Sequence, residues 1–518
     1  MTTTKKMLFL AALAAGLLLP ATALADPTAL TPPAIPGIAQ LPGPLAPAAT
    51  PAQNMGILQA TTNIGLPGTA YTLSGSGLTP NKTVSIVWMT ANVTWMVDAR
   101  PDSVDYLGRS TSKFGVVIGS TTTDANGAFS LNLVAPQDFG GIHDIYAVID
   151  GVQVAKGGFL LARSATMTPK RGPVGTMITL TYSGLGASLY EGGASLQYDN
   201  HYVGALTANW TRGVAKVKFR ATGGIGKHII TVTDAISFDY LNVQQSPIPW
   251  ATGHKFAFYV TKDRHVALKP RIDWPTNVVP TLDAPTTMIP NVIDPSSTAS
   301  AQLSSTTGPV LSSTTVTASN LVPSTPVDLV WSTVVGNRVN CTGTCWSFVS
   351  VPLATVPSGA DGSLNTNVSV PDGLGGWHVV QLMQGGKVMA QVPYFVKRSV
   401  VGNGVSKLKL HAGQSFTVHL KGLGWTQLDN TIAVDYDNSY IGYGCGFNSN
   451  GDVVMNLVAT GRPGTHLIDM YPLLYTQQPS YTNTPYGMVP MLTYASDVPG
   501  LALGYQLPAI RLAIEIVK

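Results

Sequence analysis

Charge is scarce in this chain. Lys and Arg number 30, Asp and Glu 26, and together they make up 11% of 518 residues. So thin and even a balance excludes the electrostatic footprint of a nucleic-acid or anionic-membrane binder, which needs clustered cations. Cysteine is scarcer still, at three residues, so no dense disulfide scaffold can hold a polypeptide of this size. Beyond the N-terminal region no run reaches the ~18 uninterrupted apolar residues of a membrane helix. No long segment repeats its apolar residues with a helical period. The nucleophile elbow G-x-S-x-G, the zinc pair H-E-x-x-H and the phosphate loop G-x-x-x-x-G-K-[ST] are all missing, as is an Asp-rich EF-hand loop. The acidic residues are scattered singly. These absences point away from an enzyme and predict neither cofactor nor metal.

Gly (53) and Pro (37) are plentiful, and Thr, Ser, Val and Asn fill much of the rest. That is β-sandwich composition, with β-branched residues for strands and Gly, Pro and Asn for turns. The N-terminus reads as a secretory signal peptide over residues 1–25. Lys5 and Lys6 precede an apolar run from Met7 to Pro20, and Ala-Leu-Ala ends at Ala25. Cleavage is expected before Asp26, leaving a secreted or extracytoplasmic protein, held at a surface by contacts rather than by membrane insertion. Export permits a disulfide. The close spacing of Cys341 and Cys345 favours a small local loop; a bond from one of them to Cys445 is the alternative, and either leaves an odd thiol.

The chain repeats itself. SGLG at 183–186, YDNHYVG at 198–204 and GKHIITV at 226–232 are matched by KGLG at 421–424, YDNSYIG at 436–442 and GTHLIDM at 464–470. One offset, 238 residues, separates Gly184 from Gly422, Tyr198 from Tyr436 and His228 from His466. The preceding segments pair as well. SIVW ends at Trp88 and DLVW at Trp331, 243 residues apart, whereas His143 and His378 are 235 apart. The eight-residue change falls in the loop expected after the Trp strand, where length differences are tolerated.

The order is therefore A-B-A′-B′, a pair copied once. A Pro/Ala-rich lead-in, read as stiff and extended, covers 26–55. A spans 56–164, B 165–264, A′ 301–399, and B′ 400–518 with an extended C-terminal tail. A Pro-rich linker at 265–300 separates the halves and is read as a semi-rigid spacer. Each unit is close to the ~100 residues of an immunoglobulin-like sandwich. Val84, Ile86 and Trp88 alternate with Ser85 and Val87, and Val327, Leu329 and Trp331 with Asp328 and Val330, the pattern of strands with one face in a core. FAFYVTK (256–262) and RLAIEIVK (511–518) read as matched closing strands.

GLPGT at 65–69, YTLSGSGLTPN at 71–81 and RGPVGTMITLTYSGLG at 171–186 resemble the opening of IPT/TIG-type and related bacterial immunoglobulin-like domains. There a GPVGT-like turn precedes the second strand and a G-S-G-L turn follows it. A′ departs from the pattern with ASNL at 318–321. The resemblance implies an all-β chain of four tandem immunoglobulin-like sandwiches used for spacing, adhesion or recognition, and it implies no chemistry.

Three groups of residues stand out. His143, His228, His378 and His466 each follow Gly-x at the start of a strand, one per unit, and read as partly buried rings bonded to a neighbouring loop. Tyr198-Asp199-Asn200 and Tyr436-Asp437-Asn438, with Tyr202 and Tyr440, read either as hairpin turns flanked by cross-strand Tyr or as exposed platforms for a sugar or partner. The segments 89–115 and 332–352, carrying Trp95 and Trp346, read as long interaction loops. The first functional expectation is a structural or adhesive surface protein, a rod of sandwiches touching other surface proteins, a wall polymer or glycan, or further copies of itself. The alternative is a carbohydrate- or ligand-binding array whose two YDN tips act in tandem.

Overall fold

The computed structural model of the chain describes residues 28–33, 40–100, 103–235, 241–245, 253–275, 291–337, 346–474 and 488–518. The signal-peptide reading and the Cys341–Cys345 pair lie outside the described residues. Within them the chain is all-β, with only the short 3-10 turns Val243–Gln245 and Pro499–Leu503 besides strands.

Thirty-two of the strands fall into four octets. The first octet is Gln59–Ala60, Ile64–Gly65, Ala70–Gly75, Thr83–Arg100, Ser103–Thr122, Phe129–Val134, Gly141–Ile149 and Val152–Leu161. The second runs from Ser164–Thr168 to His254–Val260, the third from Ser300–Leu303 to Lys387–Lys397, and the fourth from Ser399–Val405 to Ala509–Val517. In every octet the first, third and sixth strands form one sheet, and the second, eighth, seventh, fourth and fifth form the other, in that order. The second and eighth strands always pair in parallel. This is the two-sheet immunoglobulin arrangement, ABE against GFC with an extra strand at each edge. His254–Val260 and Ala509–Val517 hold the same eighth place, although the residues leading into the second are far more numerous.

Described parts of the lead-in and linker are docked onto the sheets. Thr28–Ala29 pairs with Val97 and Met96, and Thr50–Ile57 runs parallel to Val152–Lys156. Arg271–Asp273 adds a strand beside Ala509–Arg511.

Within each half the consecutive units meet backbone to backbone. Gly140 donates its N–H to the Leu185 carbonyl at 2.9 Å, and Gly375 does the same to Leu423 at 2.8 Å. A Cβ at Gly140 would overlap the Gly184 carbonyl, and one at Gly375 the Gly422 carbonyl. Both joints therefore need glycine for close approach.

The halves are not strung out as a rod. Three strands of the fourth octet's larger sheet, Thr431–Tyr436, Gly464–Tyr471 and Ala509–Val517, are buried on both faces. Ile468, Met470, Ile510, Leu512 and Ile514 point into that octet's own core, while Leu467, Tyr471, Ala509 and Ala513 join the core of the second octet. Period two thus sends alternate residues into two different interiors, which is why RLAIEIV is apolar almost throughout.

Asp469 and Arg511 lie on the face turned toward the second octet. Arg220 reaches Asp469 at 2.5 Å from the other side, and Arg511 lies 3.1 Å from Asp469 and 2.7 Å from Asp273. Arg511 also donates to the Lys218 carbonyl at 3.0 Å, and Asn438 to the Arg220 carbonyl at 2.7 Å. Burial, and then the neighbouring Asp469 charge, pushes the Asp435 carboxyl well above its usual range. Arg220 and Arg511 thus face Asp469 and Asp273 where the two octets meet.

A further core draws on all four octets. It holds Trp95, Trp210, Trp377, Leu428 and the segment Val489–Leu507. Strand Thr83–Arg100 and its partner Ser103–Thr122 form one long hairpin, so the segment read as loop 89–115 is regular structure. The hairpin carries Trp95 to Asp497, whose carboxylate accepts the indole N–H at 2.8 Å and the Asn209 N–H at 2.6 Å.

Two stability measurements follow. Gly375→Ala is expected to lose about 1–3 kcal/mol through overpacking, whereas Gly224→Ala, whose Cβ would meet nothing within 4 Å, should match the wild type in urea unfolding. Asp469→Asn leaves buried guanidinium charge uncompensated and is expected to cost about 3–5 kcal/mol in the same assay.

Candidate functional site

The repeated motifs turn out to be one device used four times. In each octet an aromatic ring on the fourth strand lies against a His on the seventh. Trp88 and His143 have centroids 4.3 Å apart, Tyr198 and His228 5.4 Å, Trp331 and His378 4.7 Å, and Tyr436 and His466 5.8 Å. Each His places Nε2 within 2.7–2.9 Å of the carbonyl four residues earlier, those of Phe139, Gly224, Leu374 and Arg462. Immunoglobulin domains pack a fourth-strand Trp on a disulfide between their sheets; here an imidazole occupies that place.

The other ring nitrogen divides the octets into two kinds. Nδ1 of His143 and His378 faces a carbonyl, of Met89 at 2.7 Å and Ser332 at 2.8 Å. Nδ1 of His228 and His466 faces a carboxylate, of Asp199 at 2.5 Å and Asp437 at 2.6 Å. The same two Asp side chains accept the Ile229 and Leu467 N–H groups at 2.8 and 2.9 Å. Asp199, Asn200, Asp437 and Asn438 all have positive φ, the turn geometry that Asp and Asn tolerate. Tyr198 and Tyr436 donate their hydroxyls to the Thr222 and Thr460 carbonyls at 2.8 and 2.9 Å. YDN and G-x-H are thus two ends of one bracket.

The exposed platforms considered above are not what the chain builds. Tyr198, Tyr436 and Asn438 are buried. Tyr202 and Tyr440 are half-buried and meet each other edge-on, centroids 6.4 Å apart, at the junction of the halves. Tyr440 donates to the Met488 carbonyl at 2.6 Å. The two tips close on one another because the halves fold together, so they cannot reach separate ligands in tandem. Of the set only Asp199 and Asn200 are exposed. Trp95 is fully buried, and Trp346 is half-buried against Trp425 and Phe447.

Among the described residues two surfaces carry exposed side chains. One is the edge strand Ser439–Cys445. Its counterpart in the second octet, His201–Thr207, is covered where Ala205 pairs with Met491, held by bonds to Pro490 and Leu492. On Ser439–Cys445 and the nearby strand Val453–Val458, Ile441 (51%), Val454 (56%) and Val458 (48%) stay exposed. The other is a cleft of about 610 Å³ at the junction of the halves, lined by Lys216, Lys218, Arg271, Asp273, Trp274 and Tyr494 among others. Sequence inspection missed this cleft, because its walls come from the second octet, the linker and the segment before the last strand. Among the described residues no three His, Cys, Asp or Glu side chains are placed to hold a metal, and no helix is long and apolar enough to cross a membrane.

No protein-family model matches the chain, and no curated protein does. Among solved structures it is similar to the alpha-2-macroglobulin of E. coli, at 7% identity and a TM-score of 0.16, covering 88% of this chain and 31% of that one. It is similar to invasin, a bacterial integrin-binding protein, at 11% identity and 0.18, covering 80% and 76%. A third similarity is to the sporulation control protein Spo0M from Bacillus subtilis, at 8% and 0.15, covering 39% and 91%. At these TM-scores none of the three bears on function.

The His pairs carry a pH prediction. Burial lowers His378 to about 4, so it is neutral in the fold and charges more readily when unfolded. A lowered folded value means that this stability is complete above pH ~6.5 and is lost as pH falls toward about 4. Melting temperatures of wild type and His378→Gln, compared at pH 7 and pH 4.5, should show the variant less sensitive to acid.

Proposed function

We propose that the chain is an exported, non-enzymatic structural or adhesive protein of a cell surface, made of tandem immunoglobulin-like domains in the order A-B-A′-B′. The observation that carries this reading is where the repeated polar residues go. The four aromatic–His pairs, and the two Asp that bracket them in B and B′, bond to their own sandwich. A sequence repeated for catalysis would aim such groups at a cavity. The leader-like N-terminus supports export, and the IPT/TIG-like turns support a scaffold used for contact.

The exposed apolar side chains on Ser439–Cys445 and Val453–Val458 support association. A strand edge with exposed apolar side chains is a template for pairing, and its counterpart in B already receives an extended segment of the same chain. The partner that this edge fits is another copy of the protein or another β-rich surface protein.

Cell fractionation with N-terminal sequencing tests the first part: the account expects a chain beginning at Asp26 on intact cells, accessible to antibody. A full-length cytoplasmic product would contradict it. Sedimentation of the purified mature chain tests the second, with concentration-dependent association expected in wild type and abolished by Ile441→Lys together with Val454→Lys. Equal sedimentation of both proteins would remove the edge from the account.

A further inference from the structure

We infer that the cleft between the halves is a binding site for an acidic saccharide. The inference does not rest on the scaffold role above. Three chain segments that are distant in sequence converge there. The strand Val214–Arg220 supplies Lys216 and Lys218, the docked linker supplies Arg271 and Trp274, and the segment before the last strand supplies Tyr494 and Ser496.

Charge decides the sign of the ligand. Lys216 and Lys218 are exposed, and among the described residues neither ammonium has a carboxylate within ion-pair distance. Arg271 pairs with Asp273, the one carboxylate of the lining. Asp273 is also shared with the buried Arg511 at 2.7 Å, so its charge is already claimed from within. Lys397 adds a further cation, its ammonium 5.5 Å over the Trp274 ring. In a chain with so few charges, this concentration of cations in one concavity stands out from the general surface.

Shape and aromatic content decide the class. The volume of about 610 Å³ falls in the roughly 300–1,000 Å³ range of small-molecule sites. It is too small to seat a folded partner. Trp274 lines the cleft with one ring face under the Lys397 ammonium, an aromatic wall against which the C–H groups of a pyranose can pack. Thr211, Tyr494 and Ser496 line the same space, polar residues compatible with a polyhydroxylated ligand. Carboxylate or phosphate groups on that sugar would meet the lysines.

Location explains why such a site would be kept. Both walls depend on the closed halves: the Lys218 carbonyl accepts from Arg511 at 3.0 Å, and Arg511 orients Asp273 beside Arg271. A ligand bridging the second octet, linker and last octet would bind only the closed form and would stabilise it.

Isothermal titration calorimetry on the intact mature chain tests the site with three probes: trigalacturonate, maltotriose and inorganic phosphate. Trigalacturonate should bind with an affinity that falls as salt rises, at least tenfold tighter than maltotriose or phosphate. Lys216→Ala combined with Lys218→Ala should weaken it at least tenfold while leaving the melting temperature unchanged, since both side chains are exposed. Trp274→Ala should weaken it as well, and Lys227→Ala with Lys255→Ala, exposed lysines on other strands, should not. Absence of trigalacturonate binding, equal binding of maltotriose, equal binding of bare phosphate, or indifference to the Lys216/Lys218 pair would each overturn the inference.

Discussion

A sheet buried on both faces has no solvent side on which to place polar residues, and this constraint governs the molecule. The strands Thr431–Tyr436, Gly464–Tyr471 and Ala509–Val517 meet it by sending alternate side chains into two cores. The ionisable groups they carry on the face toward B must then be neutralised in place. Asp469 sits between Arg220 and Arg511, Asp273 takes the outer side of Arg511, and burial raises the Asp435 carboxyl well above its usual range. Such a network adds little net stability compared with apolar packing, but it tolerates only one register between its partners. Its value here is orientation: it sets how B lies on B′, and from that follow the meeting of Tyr202 with Tyr440 and the cleft beside them.

Inside each octet a different problem is solved with few cysteines. A sandwich of this size commonly ties its sheets with a disulfide. The chain uses an aromatic ring against an imidazole whose two nitrogens face separate segments. In A and A′ the ring is a Trp and the second partner a carbonyl; in B and B′ the ring is a Tyr and the second partner an Asp. His378 and His466 respond to pH in opposite directions. His378 is held neutral by burial, whereas His466 is raised: burial opposes its charge, and the hydrogen bond and attraction of Asp437 outweigh it. The raised group contributes most below pH ~6.5 and loses its contribution as pH rises through its folded value, the lowered one the reverse. The fold thus keeps part of this fastening on either side of neutrality.

The sequence reading succeeded where residues repeat and failed where they do not. Offsets of 238 and 235 pick out the residues that form the His brackets, because both ends of a bracket must be kept together. Period-two alternation located the Trp strands for the same reason. The closure of the halves left no such trace. Gln197 and Thr231 stand where B′ has Asp435 and Asp469, so the ionic network breaks the repeat instead of following it. Val489–Leu507 belongs to a stretch that B lacks, and its apolar residues find their neighbours in all four octets. In the segment expected to be a loop, Ala91, Val93 and Trp95 alternate with Thr90, Asn92 and Thr94, which is a strand period. It is a strand because its inward partners, such as Asp497, come from hundreds of residues away. The YDN tips looked like exposed platforms for want of that same information.

The claim on which the account turns is that the second half packs onto the first through this two-faced sheet. Small-angle X-ray scattering from the mature chain in dilute solution measures it directly. A pair-distance distribution with one compact maximum, reproduced by the closed arrangement, is the predicted result. An elongated profile of four beads on a string, or of two halves at variable separation, would contradict it.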